Sequence, residues 1–254
     1  MGTVAEFRFR ENTAAQRLLP HVTSYRERTN KMNSTEKLTL KKLACQARMG
    51  AVIGTYHAKS GHPGGSLSAA DLYTYLYFKE MNVDPQDPKK PDRDRFVLSK
   101  GHCCPSLYAV LALKGYFAFD ELEKLRHVGA MLQGHPDMKG TPGIDMSSGS
   151  LGQGISAACG MALAGKLDQK DYRVYTLLGD GECEEGQVWE AAMFAAHHEL
   201  DNLCVIVDCN GLQIDGPVAE VGGIEPLDKK FESFGFHVIK ICGHCFTQIE
   251  AAFE

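Results

Sequence analysis

The sequence predicts an α/β domain with a mainly parallel sheet and helices on both faces. Three observations carry this expectation. An apolar run, Val174 to Leu178, stops at Gly179-Asp180-Gly181. A second run, Leu203 to Val207, stops at Asp208-Cys209-Asn210-Gly211. Between them, Gln187 to Glu199 has helical spacing, with Val188, Ala191, Ala192, Ala195 and Ala196 on or near one face. Short apolar runs closed by Gly, Asp and Asn read as buried parallel strands. Strand, helix, strand implies a right-handed crossover. The carboxyl ends of both strands then open on one sheet edge, where such folds bind ligands.

The chain has 254 residues and a net charge of −5, enough for one large domain or two small ones. The mild charge suggests no nucleic-acid-binding face, and no apolar run approaches the length of a membrane span. Nine cysteines are scattered, and several, such as Cys159 and Cys204, sit inside apolar runs. That usage suits buried free thiols in a reducing cytoplasm better than a disulfide framework.

Residues 1–31 are expected to be a leader or variable arm, largely disordered, because they lack a clean period and carry Arg8, Arg10, Arg17, Arg26 and Arg28. The domain proper is expected over 32–254. Leu38 to His57 has the spacing of a helix, and the cluster Lys59 to Gly65 reads as a rigid loop. Ser66 is expected to cap the next helix, with Asp71 near its first turn. Arg95 to Leu98 reads as a short strand ending at Ser99-Lys100-Gly101-His102, followed by a helix from Pro105 to Leu113. Asp120 is expected to cap or start another helix. Gly134 to Gly143 reads as loop. Ser147 to Gly154 leads into an apolar helix, Ile155 to Leu167, exposing its first amides to a ligand. Phe236 to Ile241 reads as a strand and Phe246 to Phe253 as a helix.

The chemistry gathers at the strand ends. Asp180 and Asn210 lie 30 residues apart, one crossover unit. A carboxylate plus an amide oxygen suits a hard cation, Mg2+ or Ca2+. Gly179 and Gly181 let a bulky ligand approach the backbone, and the following helix offers free amides. A lone Gly-Asp-Gly is usually an ordinary turn. Asn210-Gly211 closing the neighbouring strand turns the reading toward a metal-held diphosphate.

Three histidines share a loop setting beside glycine: Gly61-His62-Pro63, Gly101-His102 and Gly134-His135-Pro136. Singly, each would be a structural loop histidine. Together, around one predicted sheet, they suit proton transfer and orientation of a hydroxyl-rich substrate. The other histidines considered, such as His57 and His197, read as surface or packing residues. Glu182, Glu184, Glu185 and Glu190 make a favourable acidic helix start, which suffices for Glu182 and Glu184. Cys242-Gly243-His244-Cys245 has redox or zinc spacing but no second ligand pair, and reads as incidental.

The sequence words SGHPGGSLSAADL (Ser60 to Leu72), DRDRFVLSKGH (Asp92 to His102), SSGSLGQG (Ser147 to Gly154) and GDGECEEGQVWEA (Gly179 to Ala191) resemble transketolase, in that family's order, from about Leu38 onward. The resemblance implies the thiamine diphosphate-binding fold and covers only the diphosphate-binding domain of a longer enzyme. It implies that Asp180, Asn210 and the carbonyl of Leu212 bind the metal, and that the Gly181 amide meets the diphosphate. Gly149 and Leu151 match positions touching the rest of the cofactor. Ser150 stands where the family often has proline. His62, His102 and His135 match positions lining the cofactor and donor-sugar channel, and Glu185 and Glu190 match acids buried near the subunit interface.

The implied reaction is transfer of a two-carbon ketol unit from a ketose phosphate to an aldose phosphate, as in the pentose phosphate pathway. In the family, a second domain from a neighbouring chain supplies the glutamate that activates the aminopyrimidine. Nothing here resembles that domain. The chain is therefore expected to be the amino-terminal subunit of a split transketolase, active only with a carboxy-terminal subunit that carries the pyrimidine-binding domain. The two would form a dimer of heterodimers. Two alternatives stay open: another thiamine diphosphate enzyme, such as a deoxyxylulose-phosphate synthase or a formaldehyde-fixing relative, and a non-catalytic cofactor-holding or regulatory subunit. Gly179, Gly181 and Gly186 have the wrong spacing for a nicotinamide oxidoreductase, which is disfavoured.

Overall fold

A computed structural model describes Thr3–Phe9 and residues 31–254. Its strands are β1 (Thr3–Phe9), β2 (Arg95–Leu98), β3 (Val174–Gly179), β4 (Leu203–Cys209), β5 (Leu212–Gln213), β6 (Gly216–Pro217) and β7 (Phe236–Cys242). Its α-helices are α1 (Ser34–Ala58), α2 (Pro63–Tyr75), α3 (Cys104–Lys114), α4 (Gln153–Leu167), α5 (Gly186–His197), α6 (Val218–Val221), α7 (Leu227–Ser233) and α8 (Phe246–Phe253). Among the described residues, five strands form the main sheet in the order β2-β3-β4-β1-β7, and β5 and β6 form a small hairpin. β2 pairs parallel with β3, and β3 parallel with β4. β1 is antiparallel to both β4 and β7, so β7 runs with the parallel set. Within the stretch expected as an arm, Thr3–Phe9 is thus a strand of the sheet. The rest of that expectation, residues 1–2 and 10–30, lies outside the described residues.

The sheet separates two cores, and the two-residue period of a strand assigns each side chain to one of them. Phe96, Leu98, Tyr175, Leu177, Cys204 and Ile206 face the first, with Leu40 and Ala44 of α1, Leu72 and Tyr73 of α2, Leu107 of α3 and Ile249 of α8. Val97, Val174, Leu178, Leu203, Val205 and Val207 face the second, with Ile155 and Ala158 of α4, Val188 and Ala191 of α5 and Phe231 of α7. Helices therefore cover both faces, as the unbroken apolar strands require.

Local chemistry sets the helix ends. Asn33 caps α1 by accepting from the amides of Thr35 and Glu36, while Glu36 accepts from the Asn33 amide, a reciprocal capping box. α2 departs from expectation. It starts at Pro63, inside the predicted loop, because proline lacks the amide that a first helical turn leaves unpaired. Ser66 is not its cap; the hydroxyl donates back to the His62 carbonyl. Asp71 lies in the body of that helix, buried and paired with Arg48 of α1. Asp120 falls within a 3-10 turn, Phe119–Lys124, rather than opening an α-helix. No helix among the described residues is long and apolar enough to cross a membrane.

Candidate active site

The ends of β3 and β4 lie side by side, with Gly179 paired to Asp208. The Asp180 amide donates to the Asp208 carbonyl at 3.3 Å. The Asp180 carboxylate accepts from Gly181 N at 2.9 Å through Oδ1 and from Gly211 N at 2.6 Å through Oδ2. Asp180 thus bridges its own turn and the loop that carries Asn210. Asn210 Oδ1 accepts from Leu212 N at 3.0 Å, which folds that loop toward the β5–β6 hairpin. Burial raises the Asp180 pKa, and nearby Asp208 adds to this, against the opposing Gly211 and Gly181 amides and Lys100. A carboxylate has about four acceptor sites, and two are used here.

Beneath the tips lies a buried ion pair that the sequence reading did not single out. Lys100 Nζ stands 2.5 Å from Asp208 Oδ2, with 2% and 1% of the two side chains exposed. Ser68 of α2 donates to Asp208 Oδ1 at 2.8 Å. One hint was available: a lysine and an aspartate each ending an apolar strand of the same sheet.

Glu182 corrects another expectation. A favourable acidic helix start does not suffice to describe it; it is 3% exposed. Its Oε1 accepts the Ser99 hydroxyl and the Gly152 amide, the latter at 2.8 Å, and its Oε2 accepts the Gly179 amide at 3.0 Å. Three loops at the sheet edge therefore meet on one carboxylate. Glu184 also has a partner, the side-chain amide of Gln213, at 2.8 and 2.9 Å.

The three predicted histidines come together at the same edge. The His62 and His102 rings are 5.0 Å apart between centroids, edge to face. Burial, then the charges of Lys100, His62 and His135, pull the His102 pKa down from 6.5 to about 4. His135 is lowered too, by partial burial, Arg126 and His62. His102 is therefore a neutral imidazole at neutral pH, able to accept or donate a proton. Arg126 joins the loops behind these rings, donating to Ser60 Oγ at 2.8 Å and to the Gly134 carbonyl at 3.5 Å. The hydroxyl of buried Tyr108 holds the His135 carbonyl at 3.0 Å.

The loop before α4 passes close to these groups. Gly149 faces His135, whose ring carbon would lie 3.5 Å from an added Cβ. Leu151 is half-buried, and Gly152 caps α4 with φ +81°, a backbone shape that favours glycine. Glu185 and Glu190 are exposed in this chain, on the outer side of α5 and its entry. His244, from the Cys242-Gly243-His244-Cys245 turn, pairs through Nδ1 with Asp71 Oδ2 at 2.8 Å.

The donor set at the strand tips fits a hard cation. Among the described residues no group of three or more His, Cys, Asp or Glu side chains is arranged to hold a metal. A cation here would therefore rely on one carboxylate, one amide oxygen and the backbone, a weakly charged set that an anionic ligand would complete.

A mainly parallel α/β sheet with an acid and an amide on adjoining strand tips, and a histidine cluster at the same sheet edge, defines a domain built to hold a phosphorylated cofactor. Residues 40–254 match the family described as transketolase, thiamine diphosphate binding domain, and the chain belongs to that family. It is 53% identical over 194 residues to the 6-deoxy-6-sulfo-D-fructose transketolase subunit SqwG of Clostridium sp. (strain MSTE9), covering 76% of this chain and 70% of that one. It is 44% identical over 199 residues to one of the apulose-4-phosphate transketolase subunits of Phocaeicola vulgatus, covering 78% and 70%. Human transketolase is 44% identical over 228 residues, which are 89% of this chain and 36% of that one. The crystal structure of transketolase from Campylobacter jejuni superposes with a TM-score of 0.78 at 32% identity, over 87% of this chain and 35% of that one. The chain thus spans about a third of these last two proteins, and over two thirds of the relatives named as subunits.

Proposed function

We propose that this chain is the amino-terminal, cofactor-holding subunit of a split transketolase. In this reading it moves a two-carbon ketol unit from a ketose phosphate to an aldose phosphate. The observation that carries it is the placement at one sheet edge of the Asp180 and Asn210 strand tips and of His62, His102 and His135, with Lys100, two residues before His102, paired to Asp208 of β4. Asp180, Asn210 and the Leu212 carbonyl would hold a Mg2+ or Ca2+ ion. The Gly181 amide would meet the diphosphate, and Gly149 and Leu151 would flank the rest of the cofactor. Bound thiamine diphosphate supplies the carbon nucleophile and the electron sink for breaking and remaking a carbon–carbon bond. The chain's own task is proton handling. His102, neutral at pH 7, can take a proton from a donor hydroxyl and return it to the acceptor oxygen. His62, in ring contact with it, and His135 orient the sugar hydroxyls.

The partner would be a carboxy-terminal subunit with the pyrimidine-binding domain, and exposed Glu185 and Glu190 lie on a surface it could cover. Together they would form a dimer of heterodimers. Residues 32–254 would form the diphosphate-binding domain, to whose sheet Thr3–Phe9 adds a strand. The nine free cysteines suit a reducing cytoplasm. Calorimetric titration with thiamine diphosphate and Mg2+, with and without the partner, followed by product analysis with ketose phosphate donors, tests the proposal. Ketol transfer by the single chain at the rate of the complex would refute the partner dependence.

One observation favours a second reading of the donor. The relative at 53% identity is named for a sulfonated ketose. A sulfonate and a phosphate are both tetrahedral anions, and the three histidines would meet the hydroxyl end of either donor. Parallel assays with the two donor types decide between them.

A further inference from the structure

We propose that Glu182 is a positioning residue that fixes the distance between the two ends of the cofactor site. The inference rests on the thiamine diphosphate reading above. One carboxylate oxygen takes the Gly152 amide and the Ser99 hydroxyl, and the other takes the Gly179 amide. Gly152 directly follows Leu151, and Gly179 directly precedes Asp180 and Gly181. Glu182 therefore links the segment assigned to the body of the cofactor with the turn assigned to its diphosphate. Ser99 adds the end of β2, one residue before Lys100 and three before His102.

The neighbourhood leaves this link little slack. A Cβ on Gly154 would lie 2.5 Å from Ser99, and one on Gly152 would lie 2.8 Å from Glu185. A carboxylate is the one side-chain group here that accepts on both oxygens. Glutamine in its place must turn an NH2 toward either the Gly152 or the Gly179 amide, donor against donor. One of the two segments is then released while the helices and sheet stay packed. Neither segment is misplaced alone; their spacing is lost.

The test compares a ligand that spans both segments with one that touches only the turn. Full chains of wild type and Glu182→Gln, each assembled with the partner, are titrated calorimetrically with thiamine diphosphate and with inorganic pyrophosphate, each with Mg2+. Thermal midpoints are recorded alongside. The expected result is a loss of about tenfold or more in affinity for thiamine diphosphate, with pyrophosphate affinity kept within about threefold. Parallel weakening of both ligands would mean a general structural role and overturn the proposal, as would unchanged binding of both. Wild type that binds neither ligand would instead overturn the cofactor reading itself, and this inference with it. Should Glu182→Gln fail to fold, Ser99→Ala removes only the hydroxyl contact and is read the same way. It should weaken thiamine diphosphate by about two- to fivefold without moving pyrophosphate, and no such split would overturn the proposal.

Discussion

Lys100 Nζ lies 2.5 Å from Asp208 Oδ2, and water reaches neither side chain to any extent. Asp208 ends β4 directly beside the Asp180 turn. Lys100 thus neutralises the second acid at the strand tips and leaves Asp180 as the acid facing the proposed cation. Lys100→Met would strand a buried carboxylate, which costs roughly 3–5 kcal/mol when one partner of such a pair is lost. Urea unfolding should show that loss, and a change below about 1 kcal/mol would contradict it.

Asp180 and Asn210 give a prediction about ligands rather than stability. Asp180→Asn removes the one formal charge offered to the metal, yet it relieves the burial of a carboxylate whose pKa is raised by that burial. Affinity for thiamine diphosphate with Mg2+ should fall at least about a hundredfold in calorimetry, while the melting temperature of the metal-free chain falls only modestly, because the new NH2 opposes one of the Gly181 and Gly211 amides. Asn210→Ala should weaken the same titration in the same direction.

The His102 imidazole makes stability depend on pH. Its folded pKa, about 4, lies below the ordinary 6.5, so in that window the unfolded chain binds more protons than the folded one. Its contribution is complete above the unfolded value and is lost as pH falls from 6.5 toward 4. His135, lowered in the same direction, adds to the trend. Denaturation midpoints from pH 7.5 to 4.5 should fall toward acid, and His102→Asn should flatten the slope. An identical slope in the variant would remove His102 as its source.

Arg126 ties the loop of His62 to the loop of His135 through Ser60 and Gly134. It touches neither strand tip. Arg126→Ala should therefore lower kcat/KM for ketol transfer in the assembled enzyme by about ten- to a hundredfold, through misplaced histidines. Affinity for thiamine diphosphate should stay within about threefold of wild type. A matching fall in both would place Arg126 in general support of the fold.

Much of this was legible in the sequence, and what was not has a common cause. Val174 to Leu178 and Leu203 to Val207 announce themselves because strands buried on both faces are mainly apolar, with buried Thr176 the polar exception. The histidine loops were visible because glycine and proline mark turns. The start of α2 was misplaced because Pro63 serves a first helical turn as well as it serves a loop. Glu182 and Lys100 were passed over for a different reason. Charged residues are read as solvated by default, and only the meeting of loops distant in sequence removes them from water. Glu182 and Gly152 are 30 residues apart, and Lys100 and Asp208 are 108 apart. No local window holds both members of either pair.

The alternation along β3 and β4 has an engineering consequence. Val205 and Ile206 are adjacent in the chain yet belong to different sides of the molecule. Odd positions of β3 and even positions of β4 share one compartment and the opposite parities share the other, so a library randomised at one such set would redesign one side while leaving the other untouched. A stabilised variant could then be assembled from two independent half-libraries, with the strand backbone as the wall between them.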